Sequence, residues 1–142
     1  MDSKKFLTAT IAGAVTMFIL GFLIYGVLLN SFMRANGAAV MKAEPDFAYL
    51  VLAQLAWGAF LALVLGQWAG VSTLAGGLRA GAMLGALLGI GLDFEMFATM
   101  NMLNLQATLA DVVVQAVRFS ITGGVVGYVL GMGGRRYTAT RT

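Results

Sequence analysis

The sequence predicts an all-α integral membrane protein, a four-helix bundle whose third and fourth helices are glycine-rich. Composition is the first reason: 60% of the 142 residues are hydrophobic and 11% are charged, whereas roughly 25% of the residues in a soluble domain are charged. The second is a set of apolar segments, each near the length of about 20 residues that a membrane-spanning helix needs. The segments cover residues 6–29, 47–68, 78–100 and 108–132 within one transmembrane domain, residues 1–142.

The first segment follows a short basic start that contains Lys4 and Lys5. A basic start before an apolar run is also typical of a signal peptide. This run is longer than the roughly 7–15 apolar residues of such a signal, and no small-residue cleavage site follows it. We therefore expect a first helix that is retained.

The second segment lies between a polar connection and a short turn. The connection, residues 30–47, holds the only proline, Pro45, which favours a helix start just after it. Tyr49 and Trp68, near the two ends of the segment, suit the aromatic belts of a membrane interface. The turn at residues 70–76, GVSTLAG, makes the second and third helices antiparallel neighbours.

The third helix is predicted to begin near Gly77 or Arg79 and to continue past Leu92 to about Met100, since a helix that ended at Leu92 would be short for a bilayer. A polar turn at residues 101–106 follows. Thr108 and Asp111 then have the spacing of a capping box with Asp in place of Glu, which predicts a fourth helix from about residue 108. The Gly-Gly-Arg-Arg sequence after residue 132 predicts its end.

Glycine recurs at every fourth position in the third helix and again in the fourth, and a four-residue step returns to one helix face. Small residues at this spacing let membrane helices approach closely. We expect both stripes to pack helices, within one chain or between chains, rather than to form a thin pore wall. The stripes consist of Gly77, Gly81, Gly85 and Gly89 in the third helix and Gly123, Gly127 and Gly131 in the fourth.

Arg118 has the most unusual position of the polar residues. It lies about 15 Å below the start of its helix, at 1.5 Å per residue. An arginine near mid-membrane costs about 2.5–3.5 kcal/mol and is expected to have a partner. We expect that partner to be Asp93, then Glu95, with Asp111 above Arg118 on its own helix.

Polar side chains from all four helices are expected at a similar depth. Two interpretations of this layer stay open: a buried pair that fixes helix register, or a polar cavity, open to the outside, that binds an ion, a proton or a small anion. A water-accessible path to Arg118 would favour the cavity, and a dry, fully paired Arg118 would favour the structural pair. The candidate residues are Tyr25, Gln54, Asp93, Glu95, Asp111, Gln115 and Arg118.

The residue types argue against familiar catalytic chemistry. The chain has no cysteine and no histidine, so thiolate and imidazole groups are missing as nucleophiles, bases and metal ligands. The methionines Met96, Met100 and Met102 are too weak a cluster for a thioether metal site. We expect no enzyme activity, no metal and no cofactor. Nucleic acid is not an expected partner either, because the basic residues lie at the ends of apolar runs.

Charge at the ends of the segments predicts the orientation. An even number of spans places both termini on one side, and the side richer in lysine and arginine is normally cytoplasmic. We therefore expect an inner (plasma) membrane protein with both termini in the cytoplasm. The termini side carries Lys4, Lys5, Arg79, Arg135, Arg136 and Arg141, and the opposite side carries Arg34 and Lys42.

The first helix ends GFLIYGVLLNSFM, and the fourth opens ATLADVVVQAV and closes GGVVGYVLG. In these segments the chain resembles a group of small four-helix bacterial membrane proteins that are catalogued as a domain of unknown function. The resemblance covers nearly the whole chain and implies the four-helix layout, but no activity. Fluoride channels and small multidrug exporters are similarly short, but the asparagine motifs of the former and the acidic residue early in the first helix of the latter are absent.

These observations predict a small multi-pass protein with a structural or accessory role. Its partners would be the lipid bilayer and either further copies of itself or another subunit of a membrane complex, packed through the glycine-rich helices. The alternative is a small transporter or channel for an ion, a proton or a small solute, built around the outward-facing polar cluster.

Overall fold

The computed structural model describes residues 1–37 and 42–132, which form helices and no strands. The all-α prediction is therefore confirmed. Each of the long helices starts within one turn of its predicted position. The four helices that are long and apolar enough to cross a membrane are α1 (Ser3–Leu28), α3 (Phe47–Trp68), α4 (Leu74–Thr99) and α5 (Leu105–Met132). The polar connection after α1 opens with a short helix, α2 (Asn30–Ala35), for which the sequence analysis made no prediction.

Short polar side chains set the starts of α3 and α4. Asp46, directly after the proline, caps α3 by accepting a hydrogen bond from the backbone N–H of Ala48 at 3.2 Å. Thr73 caps α4 in the same way, since its Oγ1 accepts from the backbone N–H of Gly76 at 3.1 Å. The helix thus begins at Leu74, three residues before the earliest predicted start.

The predicted capping box of α5 is wrong. The backbone N–H of Ala107 donates to Oδ1 of Asn104 at 2.9 Å, so Asn104 is the capping residue. Thr108 lies inside the first turn, where its hydroxyl donates back to the Asn104 carbonyl at 2.9 Å. Asparagine caps helices at least as well as threonine, and this earlier cap leaves the Asp111 carboxyl available for tertiary contacts.

The last part of both α1 and α3 is π-helical, over Phe22–Leu28 and Ala62–Trp68. The wider turn is visible in the bonds that close these segments: Leu29 N–H donates to Ile24 O at 2.7 Å, and Ala69 N–H donates to Val64 O at 2.9 Å. Wide turns of this kind are rare and often mark functional sites. The segment in α1 borders the cleft described below.

The long helices run up and down. The N-terminal amine of Met1 donates to Gln67 Oε1 at 3.2 Å, so α1 begins where α3 ends; we call this the proximal end. At the opposite, distal end, Asn104 Nδ2 donates to Asn36 Oδ1 at 2.7 Å, which joins the start of α5 to the region after α2. The predicted end of the last helix at Gly133, Gly134, Arg135 and Arg136, and the basic residue Arg141, lie outside the described residues.

Two close helix pairs build the bundle. α4 packs on α5 through glycine: a Cβ at Gly123 would lie 2.5 Å from the Gly77 carbonyl oxygen, and one at Gly127 would lie 2.5 Å from the Thr73 carbonyl oxygen. α1 packs on α3 where a Cβ at Gly58 would lie 2.7 Å from Ala14 N. The core between the pairs consists of Ala9, Met17, Leu61, Ala62, Leu65, Phe119, Val126 and Leu130.

Candidate functional site

A cleft of about 750 Å³ lies between α1 and α3 in the distal half of the bundle. The contact at Gly58 closes the proximal side of the two helices, and the cleft occupies the space between them beyond that contact. Its volume falls in the range of small-molecule sites, about 300–1,000 Å³. The lining residues are Phe18, Gly21, Phe22, Tyr25, Gly26, Asn30, Arg34, Lys42, Ala43, Pro45, Asp46, Tyr49, Leu50, Gln54 and Arg118.

Arg118 reaches the floor of this cleft from α5. Its Nη2 donates to the backbone carbonyl of Met17 at 3.1 Å and to Gln54 Oε1 at 3.4 Å. Its Cζ lies 5.4 Å from the centre of the Tyr25 ring, within the range of a cation–π contact. The side chain is only 8% exposed, and its Nε has no hydrogen-bond partner among the residues that the structure describes. The guanidinium is therefore a buried cation with unused donor capacity at the edge of a cavity.

Gly21 makes room for this guanidinium. A Cβ at position 21 would lie 3.0 Å from Arg118 Nη2, closer than ordinary van der Waals contact. The π-helical part of α1 begins at the next residue, Phe22. The fold thus brings a position of α1 without a side chain to the place where the Arg118 side chain arrives from α5.

The partners of Arg118 differ from those that the sequence predicts. Its hydrogen bonds go to neutral acceptors, and within residues 1–37 and 42–132 it forms no ion pair with Asp93, Glu95 or Asp111. The two side chains extend in different directions. Asp93 lies on the face of α4 that packs on α5, together with the buried glycines. The Arg118 side chain extends from α5 toward α1 and α3.

Asp111 contacts the cleft indirectly, through Tyr25. The Tyr25 hydroxyl donates a hydrogen bond to Asp111 Oδ1, and the Tyr25 ring lines the cleft beside Arg118. Asp111 itself is buried, with 9% of its surface exposed. Of the predicted cluster, Tyr25, Gln54, Asp111 and Arg118 therefore come together around the cleft floor.

Asp93 and Gln115 line a second, much smaller cavity of about 30 Å³, together with Trp57 and Phe119. Asp93 is 7% exposed, and its Oδ2 has no hydrogen-bond partner among residues 1–37 and 42–132. Glu95 does not join either group. It is exposed, because residues two apart on a helix point to different sides.

The mouth of the cleft carries charges that the sequence analysis used only to assign topology. Arg34 and Lys42 line the distal opening with one carboxylate, Asp46. Arg34 Nε donates to Asn30 Oδ1 at 3.0 Å, which ties its side chain to the cleft wall. The two basic residues are visible in the sequence, in the connection between the first two spans. Their position at the cleft mouth could not be predicted, because it depends on the short helix α2.

No protein-family model, curated protein or solved structure matches the chain. The resemblance to four-helix membrane proteins of unknown function therefore stays a prediction.

Proposed function

We propose that this chain is a multi-pass membrane protein that binds an anionic amphiphile in the cleft between α1 and α3. The observation that carries the proposal is Arg118, a buried cation at the floor of a cavity of about 750 Å³, whose Nε has no partner within residues 1–37 and 42–132. A buried charge without a counter-ion is costly. An anionic group on a ligand would supply both the missing charge and the missing acceptor.

The charge of the cleft favours an anion over a cation. Three basic side chains line it, Arg34, Lys42 and Arg118, against the single carboxylate of Asp46. Asp46 is already engaged as the cap of α3. Arginine is well suited to carboxylate and phosphate because its planar donors match two acceptor oxygens.

The walls favour an apolar body behind the anionic group. Phe18, Phe22 and Leu50 form much of the lining, and ligand sites of this kind bury apolar surface around a few placed polar groups. Phe22 and Tyr49 are 59% and 72% exposed, so the cleft opens to the surroundings of the bundle. If those surroundings are lipid, an amphiphile can enter from the membrane with its head toward Arg118.

The membrane orientation is part of the same proposal. Four helices have the length and hydropathy to cross a bilayer, and the basic residues favour cytoplasmic termini. The distal end, where the cleft opens, then faces away from the cytoplasm. With this orientation, the proposed site would lie in the outer half of a bacterial inner membrane.

The accessory-subunit hypothesis loses its main argument. The glycine stripe of α4 is buried against α5 of the same chain, so it need not be explained by a second subunit. An incompletely paired Arg118 beside a cavity supports the solute-binding alternative, with a role in carrying or sensing the ligand.

The test compares amphiphiles that share one chain and differ in the head. Protein in a neutral maltoside detergent is heated with dodecanoate, dodecyl phosphate, dodecyltrimethylammonium or dodecanol, or with inorganic phosphate alone. We expect both anionic amphiphiles to raise the Tm, since a ligand at ten times its Kd stabilises the folded state by about 1.4 kcal/mol. The neutral and cationic amphiphiles are expected to have no such effect.

Arg118→Gln is the matched variant, because it keeps a polar side chain and removes the charge. We expect it to lose the response to the anionic heads. Equal stabilisation by dodecanol, or an undiminished response in Arg118→Gln, would contradict the proposal. Stabilisation by inorganic phosphate as large as that by dodecyl phosphate would contradict its amphiphile part.

A further inference from the structure

Beyond the cleft, two carboxyl groups meet inside the bundle. α4 and α5 are antiparallel, and a Cβ at Gly89 would lie 3.1 Å from Val112 Cα. Asp93, one turn beyond Gly89, therefore faces α5 at the level of Thr108, less than one helical turn from Asp111. The two carboxyl groups are close enough to interact across the α4–α5 interface, and they are 7% and 9% exposed.

The groups that face this pair leave it without a cation. From α1 comes the Tyr25 hydroxyl, which donates to Asp111 Oδ1. The part of α3 beside Asp93 contributes Trp57, which is uncharged. From α5 comes Arg118, whose hydrogen bonds go to Met17 and Gln54 and so toward the cleft. In the described part of the chain neither carboxyl group forms an ion pair with a basic side chain.

Two carboxyl groups that interact without a cation need a shared proton. An ionised carboxylate only accepts hydrogen bonds, so two carboxyl groups in contact need a proton between them. Asp93 Oδ2 has no hydrogen-bond partner in the described part of the chain, and Asp93 borders a cavity of about 30 Å³ shared with Gln115. A cavity of that size has room for a water molecule beside the free oxygen.

We propose that Asp93 and Asp111 together bind one exchangeable proton, and that Tyr25 connects this proton site to the α1–α3 cleft. In the transfer step, the Tyr25 hydroxyl gives its proton to Asp111 Oδ1 and takes one from a hydronium ion in the cleft. The phenol is regenerated and a water molecule is left behind. Release follows the same steps in reverse. The proton site at Asp93 and Asp111 is independent of anion binding, because neither carboxyl group is a donor to the ligand proposed at Arg118.

Infrared spectroscopy of the purified full chain tests the site directly. We expect a carboxylic-acid C=O band near neutral pH that shifts to lower frequency in D₂O. The band should be lost in Asp93→Asn and, independently, in Asp111→Asn. Both substitutions keep the shape of the protonated side chain, so the fold should persist. Glu95→Gln is the matched control on α4, and it should leave the band unchanged.

The route is tested by the rate at which the band shifts after transfer into D₂O. Tyr25→Phe removes the hydroxyl and should slow this exchange at least tenfold, while Tyr49→Phe, on the cleft wall, should not. Absence of the band in the parent, or its survival in both asparagine variants, would overturn the proton site. Loss of the band in NaCl but not in choline chloride would also overturn it, because the pair would then hold sodium. An unchanged exchange rate in Tyr25→Phe would overturn the route.

Discussion

Arg118 is held by weak neutral contacts rather than by a counter-ion. Two hydrogen bonds from Nη2 and the ring of Tyr25 offset only part of the cost of burying its charge. Replacing a buried charge with an apolar side chain is often neutral or stabilising when no charged partner is left behind. We therefore expect Arg118 to contribute little to stability, and we attribute its position at the cavity floor to the proposed ligand site.

A double-mutant cycle separates this arrangement from the ion pair that the sequence suggested. We expect Arg118→Leu and Asp93→Leu to be additive in the free energy of unfolding to within about 0.5 kcal/mol, since the two residues share no direct partner. Tyr25→Phe and Asp111→Asn, which remove two ends of one hydrogen bond, should show coupling above about 0.5 kcal/mol. Strong favourable coupling between Arg118 and Asp93, measured by unfolding in detergent, would restore the ion pair.

The elements divide into a tight pair and an open pair. α4 and α5 approach so closely that each stripe glycine of α4 leaves no room for a Cβ without movement of backbone or neighbouring side chains of α5. α1 and α3 share one close contact and then leave the cleft between them. Stability is therefore expected to come mainly from the first pair and ligand binding from the second.

Two glycines of α4 provide a matched test of this division. A Cβ at Gly81 would collide with the Phe119 carbonyl, whereas Gly91, on the same helix, has nothing within 4 Å. We expect Gly81→Ala to destabilise the protein by about 1–3 kcal/mol through overpacking. Gly91→Ala should be neutral or stabilising by up to about 1 kcal/mol, because alanine favours helix. Equal effects of the two substitutions on the Tm would argue against the close α4–α5 contact.

At the scale of the whole molecule, the sequence predicted the long helices because hydropathy and length depend on local composition. The bounds of α3 agree with the prediction. The start of α5 differs, because Asn104 caps this helix instead of Thr108. The polar layer was predicted from the depth of each residue along its helix. The contacts within the layer were not predicted, because depth does not determine which side of the helix a residue faces. Asp93 and Glu95, for example, lie at nearly the same depth, but Asp93 is buried and Glu95 is exposed.

The orientation of the whole molecule is tested with reporters that are active only outside the cytoplasm. Such a reporter fused after Thr142 should be silent, and one inserted next to Gly37, at the distal end, should be active. The reason is the excess of lysine and arginine on the termini side. Activity after Thr142 together with silence at Gly37 would place the cleft opening on the cytoplasmic side.

Protection of a single cysteine tests most directly whether the cleft binds an anionic amphiphile. The chain has no cysteine, so Leu50→Cys on the cleft wall and Leu52→Cys, which lies outside the cleft lining on the same helix, each carry the only thiol. We expect dodecanoate, and not dodecyltrimethylammonium, to slow maleimide labelling at position 50 at least fivefold, with position 52 unaffected. Adding Arg118→Gln should remove the protection. Equal labelling at position 50 with and without dodecanoate, or equal protection at both positions, would contradict the proposal that the α1–α3 cleft is the ligand site.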